Sequence, residues 1–305
     1  MTPDASIVVE WDNVALAGAP RALVTLARLR DQTSRSARRI DVVICHDEDA
    51  PPDLSPVASA LPPGWRLLRI PGARYYQLKN HGAAATAGRI IVFLDSDAIP
   101  EAGWLEGMLA PFDDPAVQVV AGHAYIQAES LYSRAFALTW FFPLRAEPEP
   151  LKPVTWFFAN SVAFRRSTFL AHPFAPVEGV SRGACVELAR ELREAGITIW
   201  KSTAAQVAHP APRGWRHFAL RALAEGRDRL PRERGWRATI AGSLARVAHH
   251  CGAGLWAIVR HRRRVGLSLA GVPGALGICW VYYGLRFAGE AATLLGVGAI
   301  RRVRV

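Results

Sequence analysis

The sequence predicts an α/β domain with a mostly parallel sheet between helices, followed by a C-terminal helical, membrane-associated region. Three observations support this prediction. Strand-like and helix-like segments alternate through the first two hundred residues, which is typical of α/β domains. Several strand-like runs are rich in Val and Ile on both faces, as in parallel strands buried between helices. Beyond residue 212 the chain becomes basic and apolar, so we predict two regions, 1–212 and 213–305.

The predicted elements follow one another in a regular order. The strand-like runs are "SIVVEW", "RIDVVICHDED", "WRLLRI", "RIIVFLDSD", "VQVVAGHAYI" and "ITIWKSTAAQVAH". Helices are predicted for "RALVTLARLRDQ", for "YQLKNHGAAATAG", for "PEAGWLEGMLAPF" and for "CVELARELREAG". We expect Gly88 to close the second of these helices and Pro100 to begin the third. "WFFANSVAFRRSTFLA" is predicted to combine a strand with a turn into a helix.

The net charge of +11 is unevenly distributed along the chain. From Arg213 to the end there are 17 Lys+Arg and 4 Asp+Glu, so residues 1–212 carry a slight negative charge. A near-neutral body with a basic, apolar tail favours an anionic membrane surface as partner over nucleic acid. The uncharged run from Val265 to Leu285 approaches the roughly 20 residues that span a bilayer. A span, a re-entrant hairpin, interfacial helices and a helical cap on the α/β body all remain open.

The four cysteines indicate a reducing compartment. Cys45, Cys185, Cys251 and Cys279 lie far apart and form no CxxC pair, so we expect reduced thiols rather than a disulfide framework. The first residues, "MTPDASIVVEWDN", contain neither a basic segment nor an apolar one, so no signal peptide is expected. With the basic tail, this predicts a location on the cytoplasmic side of the cell membrane.

The run "IIVFLDSDAIP" ends a predicted strand with two carboxylates, Asp95 and Asp97. In open α/β sheets, ligands bind beyond the carboxyl ends of the strands. Two carboxylates this close repel each other, and a divalent cation with oxygen ligands would relieve the repulsion. Such an ion would also neutralise a departing diphosphate. The alternative is that Asp97 caps the helix that begins near Pro100.

From about residue 5 to residue 230 the chain resembles the family 2 glycosyltransferases through six blocks in the same order. They are "SIVVEWDN", "DVVICHDED", "LKNHGAAATAGRIIVFLDSDAIPEAGWL", "FFANSVAFRRSTF", "CVELARELREAGITI" and "VAHPAPRGWRHFALRALAEGRD". The third block is the most specific, because it joins a basic-Asn-x-Gly helix to the D-x-D strand. The resemblance implies a GT-A-like fold. It also implies transfer of a sugar from a nucleotide diphosphate-sugar to an acceptor hydroxyl, with inversion.

The resemblance also implies roles for particular residues. Those expected to bind the nucleotide-sugar donor are Glu10, Asp47, Lys79, Asn80, Asp95 and Ser96. Asp97, together with Asp95 and His209, is expected to hold Mg²⁺ or Mn²⁺ against the diphosphate. Trp156 and Asn160 are expected on the acceptor side, where a saccharide or a lipid-linked acceptor would bind. The simpler alternatives are that Asp47 is solvated, Lys79 is a surface charge and His209 is a turn residue.

One departure from the family's pattern concerns the catalytic base. The family usually carries an acidic pair at the start of the late helix, and the matching residues here are Ala184 and Cys185. Alanine has no proton site, and a thiol with a pKa of roughly 8.5 is a poor base for an alcohol. Glu187 would face away, about 200° further round the helix. We therefore predict Glu178, in "FAPVEGVSRG", as the base.

Three other functions are alternatives to sugar transfer. The first is a catalytically impaired module that binds the nucleotide-sugar but lacks the base. The second is a sugar-phosphate nucleotidyltransferase, which needs a Gly-rich phosphate loop after its first strand, where "EWDNVALAGAP" offers only Gly18. The third is a nicotinamide enzyme, which is excluded because no G-x-G-x-x-G follows an early strand.

Overall fold

The computed structural model of the chain describes residues 2–47, 61–175, 183–230, 233 and 235–302. These residues form two compact units. The first draws on Met1–Tyr125, Arg145–Pro176 and Ala184–His209, and the second on Ile126–Leu144, Val177–Gly183 and Pro210–Val305. The predicted functional division after residue 212 stays a prediction.

A nine-stranded sheet is the centre of the first unit. Its strands are β1 (Ala5–Glu10), β2 (Ile40–Asp47), β3 (Arg66–Ile70), β4 (Ile90–Asp95), β5 (Ile99–Pro100), β6 (Val119–Ile126), β7 (Lys152–Val154), β8 (Ser161–Arg165) and β9 (Ile199–His209). The strand order is β3-β2-β1-β4-β8-β6-β9-β5, and β7 pairs with β9. Every residue of β1 and β4 is buried, as the apolar runs predict.

The sheet is mixed rather than mostly parallel. β1 runs parallel to β2 and β4, and β2 runs parallel to β3. β8 is antiparallel to β4 and β6, and both β5 and β7 are antiparallel to β9. The prediction of a mostly parallel sheet therefore holds only for one half. A strand that is covered on both faces shows the same continuous apolar run in either direction, so the pattern does not reveal strand direction.

Ten α-helices are found in the described ranges. They are α1 (Val14–Ala17), α2 (Ala19–Arg35), α3 (Tyr75–Ala84), α4 (Trp104–Leu109), α5 (Leu131–Thr139), α6 (Arg166–Ala171), α7 (Ala184–Glu194), α8 (Gly214–Arg229), α9 (Ile240–His261) and α10 (Val272–Leu294). Two predicted helix boundaries are wrong. Helix α3 ends before Gly88, where a Cβ atom would collide with the backbone of Ser6. Pro100 lies in β5, and α4 begins after Gly103, whose φ of 82° is left-handed.

The second unit is helical, with α10 packed on α5, α8 and α9. Buried apolar residues from several of its elements form a common core: Ala135, Leu138, Ile258, Leu267 and Ala275. Side-chain oxygens of Ser130 and Thr239 accept hydrogen bonds from the first turns of α5 and α9, and so cap them.

The uncharged run from Val265 to Leu285 is divided in the structure. It includes Gly266, which has a left-handed φ of 67°, a 3-10 turn at Leu269–Gly271, and the first part of α10. Among the residues that the structure describes, no helix combines the length and the hydropathy needed to cross a bilayer.

Candidate functional site

The candidate site lies in the first unit, where three neighbouring parallel strands end in carboxylates. Glu10, Asp47 and Asp95 are the last residues of β1, β2 and β4, and β1 lies between the other two strands. Because parallel strands end at the same edge of the sheet, these side chains are brought together. All three are buried, so their charges must be offset by nearby donors or cations.

Asp95 is neutralised by a buried lysine. The Nζ atom of Lys79, in α3, lies 2.7 Å from Oδ1 of Asp95, and the lysine has no exposed surface. The Tyr75 hydroxyl donates to both Asp95 oxygens, at 3.0 and 2.8 Å, and Asn13 Nδ2 donates to Oδ2 at 3.0 Å. The ammonium group therefore offsets the negative charge of Asp95, and the predicted contact of Asp95 with a metal ion stays a prediction. Because Lys79 is buried, it is not a surface charge, and its predicted contact with the nucleotide stays a prediction.

Glu10 binds the backbone of two turns. Its carboxylate accepts hydrogen bonds from the N–H groups of Asp12, at 2.8 Å, and Asn13, at 3.3 Å. It also accepts from Asn13 Nδ2 at 2.8 Å and from the N–H of Ser96 at 3.4 Å. Burial and then the charge of Asp95 raise the pKa of Glu10 well above its ordinary value, although the Lys79 ammonium opposes them. Glu10 thus fixes the turns after β1 and β4, and its predicted contact with the donor stays a prediction.

Asp47 and Asn80 also hold backbone groups. Asp47 Oδ1 accepts a hydrogen bond from the Gly72 N–H at 2.9 Å, and the residue is buried rather than solvated. Its predicted contact with the donor stays a prediction. Asn80 Nδ2 donates to the Phe174 carbonyl at 2.8 Å, and Asn80 Oδ1 accepts from the Phe174 N–H at 3.2 Å. Both ends of this amide are thus bound to Phe174, and the predicted approach of Asn80 to the nucleotide stays a prediction.

Asp97 and His209 form the second part of the site. Asp97 Oδ2 lies 3.7 Å from His209 Nε2, and both side chains are largely buried. The pairing of β5 with β9 explains this contact, because it joins Ile99 to Ala208 in register. Helix α4 begins after Gly103, so Asp97 does not cap it, and His209 is the last residue of β9 rather than a turn residue.

Arg21 ties these two residues to α2. Its Nε donates to the carbonyl of Asp97 and its Nη2 to the carbonyl of Ala208, both at 2.6 Å. Sequence reasoning missed Arg21, and it also missed Asn13 and Tyr75. Asn13 could have been predicted from its position in the turn that follows β1. Arg21 is one of several arginines on an amphipathic helix, and only the fold distinguishes it from the others.

Two of the predicted site residues carry buried polar atoms that have no hydrogen-bond partner among the described residues. These atoms are Ser96 Oγ and Asn160 Oδ1. The Asn160 carbonyl accepts from the Asp95 N–H at 3.1 Å, which places Asn160 beside the end of β4. Buried polar atoms without partners are rare in proteins, and they often mark positions that a ligand or water completes.

The remaining predicted residues lie at the margin of this geometry or outside it. Trp156 is 47% exposed, and its ring centroid lies 4.7 Å from that of Phe158. Glu178 falls outside the described residues, so its role as base stays a prediction. Ala184 is buried at the start of α7, and Cys185 Sγ accepts a hydrogen bond from the Tyr76 hydroxyl at 3.5 Å. Glu187 pairs with Arg190 on the exposed side of this helix.

Metal-binding capacity in the described ranges is limited to small groups. No cluster of three or more His, Cys, Asp or Glu side chains there is arranged to hold an ion. Asp97 and His209 form a pair of possible ligands. Such a pair suits a divalent cation whose other ligands are diphosphate oxygens and water, which is how Mg²⁺ is commonly bound beside phosphates.

Comparison with known proteins adds an independent line of evidence. Residues 15–171 match the model of the family "Glycosyl transferase family 2". Two curated relatives are pre-mycofactocin glycosyltransferases from two strains of Mycobacterium tuberculosis. Each is 31% identical over 135 residues, which is 43% of this chain and 29% of the relative. The matched region thus spans less than a third of the length of these relatives.

Two solved structures share the fold. A mannosyltransferase from Pyrobaculum calidifontis, in complex with GDP-Man and Mn²⁺, has a TM-score of 0.58 and 17% identity, covering 97% of this chain and 88% of its own. GalNAc-T7, with UDP, GalNAc and Mn²⁺, has a TM-score of 0.53 and 14% identity, covering 70% of this chain and 45% of its own. At these identities the likeness concerns the fold, and it confirms the GT-A-like α/β architecture that the resemblance implied.

Proposed function

The chain belongs to glycosyl transferase family 2, and on that premise we propose that it transfers a sugar from a nucleotide diphosphate-sugar to an acceptor hydroxyl, with inversion. The observation that carries this proposal is the Asp97–His209 pair, beside the buried Asp95–Lys79 pair at the carboxyl edge of the parallel strands. This edge is where α/β sheets bind their ligands. The acceptor is proposed to be a saccharide or a lipid-linked saccharide on the side of Trp156 and Asn160.

A divalent cation, Mg²⁺ or Mn²⁺, is proposed as the cofactor. The solved mannosyltransferase and GalNAc-T7 both contain Mn²⁺ together with a nucleotide or a nucleotide-sugar. When bound, the cation would neutralise the negative charge that develops on the departing diphosphate. Asp97 and His209 would hold it, and Arg21 would keep their backbones in place through the carbonyls of Asp97 and Ala208.

The residues around Asp95 are proposed to organise the donor side without touching the reacting atoms. Lys79, Tyr75 and Asn13 fix the Asp95 carboxylate. Glu10 fixes the Ser96 N–H in the turn that follows. The chain therefore reaches Asp97 in one defined conformation, and preorganised groups cost less to align when the donor binds.

Glu178 is proposed as the base that removes the proton from the acceptor hydroxyl. The first residues of α7 support this proposal indirectly, because Ala184 and Cys185 present no carboxylate where the family usually has one. The same observation favours a second candidate function, a catalytically impaired module that binds the donor without turning it over. The two candidates differ only in whether sugar leaves the nucleotide.

Release of UDP or GDP from a panel of nucleotide-sugars, with and without saccharide and lipid-linked acceptors, distinguishes these functions. The variants are Glu178→Gln and, as a control glutamate on α7, Glu187→Gln. The transferase predicts acceptor-dependent release by the native protein and by Glu187→Gln, with a loss of about 100-fold or more in Glu178→Gln. Donor binding without release under any of these conditions would instead establish the impaired module.

The reaction is further proposed to take place at the cytoplasmic face of a membrane. The support is the net positive charge of the region from residue 213 onward, together with four cysteines that are all free thiols in the structure. Free thiols suit a reducing compartment, and a basic region suits the anionic lipids of a cytoplasmic leaflet.

A further inference from the structure

The second unit exposes large apolar side chains on the neighbouring helices α9 and α10. They include Leu244, Leu255, Trp256 and Val259 of α9 and Trp280 and Val281 of α10, which we call the α9–α10 surface. Trp256 is 63% exposed and Val259 62%. On α9 these positions recur at the spacing of one helical face, and Ala248 and Gly252 are exposed, uncharged residues on the same face.

The opposite side of each helix is covered by the second unit itself. Gly254 and Ile258 of α9 are buried, and so are Ala275 and Cys279 of α10. A helix that has one face packed in its own core and the other face apolar and exposed can meet an external apolar phase only along its side. The α9–α10 surface is therefore suited to lie flat against such a phase.

Charge is absent from the face of α9 and concentrated at its end. Arg246 is the one Lys, Arg, Asp or Glu between Ile240 and Val259, and its partly buried side chain pairs with Glu290 of α10. Directly after this face come Arg260 and the run Arg262–Arg264, of which Arg260, Arg263 and Arg264 are exposed. The apolar face thus passes directly into a cluster of guanidinium groups.

The C-terminal sequence around this cluster contains few acidic residues. From Arg234 to Val305 there are 11 arginines and one acidic residue, Glu290. Glu290 is buried and paired with Arg246. An external partner of this surface must therefore combine an apolar region with a layer of negative charge.

We propose that the α9–α10 surface docks on an anionic lipid bilayer. Trp256 and Trp280 would enter the interfacial layer, which exposed tryptophans favour, and the arginines that follow α9 would contact lipid phosphates. A second copy of the chain fits less well, because its own α9–α10 surface is equally basic and offers no complementary charge. This inference deepens the membrane location in the proposed function and is independent of how the donor binds.

Vesicle co-sedimentation of the full chain tests the proposal. The vesicles consist of phosphatidylcholine alone or of phosphatidylcholine mixed with phosphatidylglycerol. The variants are Trp256→Ser with Val259→Ser, Arg263→Glu with Arg264→Glu, and, as a control, Leu170→Ser at an exposed apolar position of the first unit. We expect the native protein and Leu170→Ser to bind the mixed vesicles, with affinity lower by ~10-fold or more in either double variant.

Composition and salt provide a test that does not depend on any variant. The native protein should bind mixed vesicles more tightly than neutral ones, and added salt should weaken that binding. Equal binding to both vesicles, or none to either, would overturn the proposal. So would self-association that the double variants abolish while vesicle binding stays absent, since the surface would then join two copies. Nucleotide binding measured on the same variants should be unchanged, which separates this result from a failure of the proposed transfer.

Discussion

The imidazole of His209 lies 3.7 Å from the carboxylate of Asp97, and a two-residue strand brings them together. Ile99 and Pro100 pair with Ala208 and Val207, so the end of β9 lies beside the turn that carries Asp97. Arg21 then binds a carbonyl group on each side of this junction. The proposed metal and diphosphate site therefore depends on backbone pairing as well as on the two side chains.

Substitution of Arg21 should weaken both the fold and the donor site. Arg21→Gln removes two charged hydrogen bonds to buried carbonyls, so we expect the free energy of unfolding to fall by about 1–3 kcal/mol. Metal-dependent binding of a nucleotide diphosphate should fall by ~10-fold, because Asp97 and His209 lose their alignment. Thermal unfolding and calorimetry measure the two effects. Arg30→Gln, at an exposed position of the same helix, should change neither quantity, and equal effects from both variants would contradict the role of Arg21.

Loss of Lys79 should destabilise the first unit strongly. Lys79→Met leaves the buried Asp95 carboxylate without its counter-ion, and breaking a buried pair from one side costs about 3–5 kcal/mol. Replacing both residues, as in Lys79→Met with Asp95→Asn, removes the uncompensated charge and should recover much of that loss. Chemical denaturation of the two single variants and the double variant forms the required cycle. Additive losses in the double variant would show that the two residues do not act as a pair.

Glu10 should make stability depend on pH. Its pKa in the folded state is raised above the ordinary value of 4.5, chiefly by burial, so the folded chain holds this proton more tightly than the unfolded chain. As the pH rises above 4.5, the unfolded chain releases this proton before the folded chain does. The free energy of unfolding therefore falls relative to that of a variant with a neutral residue at position 10. The native protein should become less stable relative to Glu10→Gln between acid and neutral pH. Denaturation curves across that range measure the difference, and a constant or reversed difference would show that the pKa is not raised.

Asn80 should affect turnover more than donor binding. Asn80→Ala removes both hydrogen bonds to Phe174, which precedes the segment containing Glu178, so the free energy of unfolding should fall by about 1–3 kcal/mol. Sugar release should decrease while nucleotide diphosphate binding stays near that of the native protein. If binding is lost as completely as in Asp97→Ala, Asn80 contacts the nucleotide after all.

The sequence predicted the parts of the fold that repeat a pattern. The apolar runs that end in Glu10, Asp47 and Asp95 are parallel strands, as predicted, and the three residues end them at one edge of the sheet. The direction of β8 was not predictable, because the sequence of a strand buried on both faces is equally apolar in parallel and in antiparallel pairing. Strand β5 was also beyond prediction, since two residues form no period and Pro100 reads equally well as the start of a helix.

The sequence predicted where the candidate site lies better than it predicted the contacts within the site. Asp97 and His209 were assigned to one site from the resemblance, and the structure brings them together. The partner of Asp95 was misjudged because a helical lysine is normally exposed, and only the packing of α3 on the sheet reveals that Lys79 is buried. Arg21 binds backbone carbonyls, which every residue has, so the residue types at positions 97 and 208 do not predict these contacts.

The most direct test of the account is calorimetric binding of UDP and GDP, with and without Mn²⁺, to the native protein, Asp97→Ala and Asp31→Ala. Asp31 is an exposed carboxylate on α2 and serves as the control. The account predicts Mn²⁺-dependent binding of at least one nucleotide to the native protein and to Asp31→Ala, with loss of that binding in Asp97→Ala. Failure of the native protein to bind either nucleotide, or undiminished binding by Asp97→Ala, would contradict a nucleotide-sugar site at this edge of the sheet.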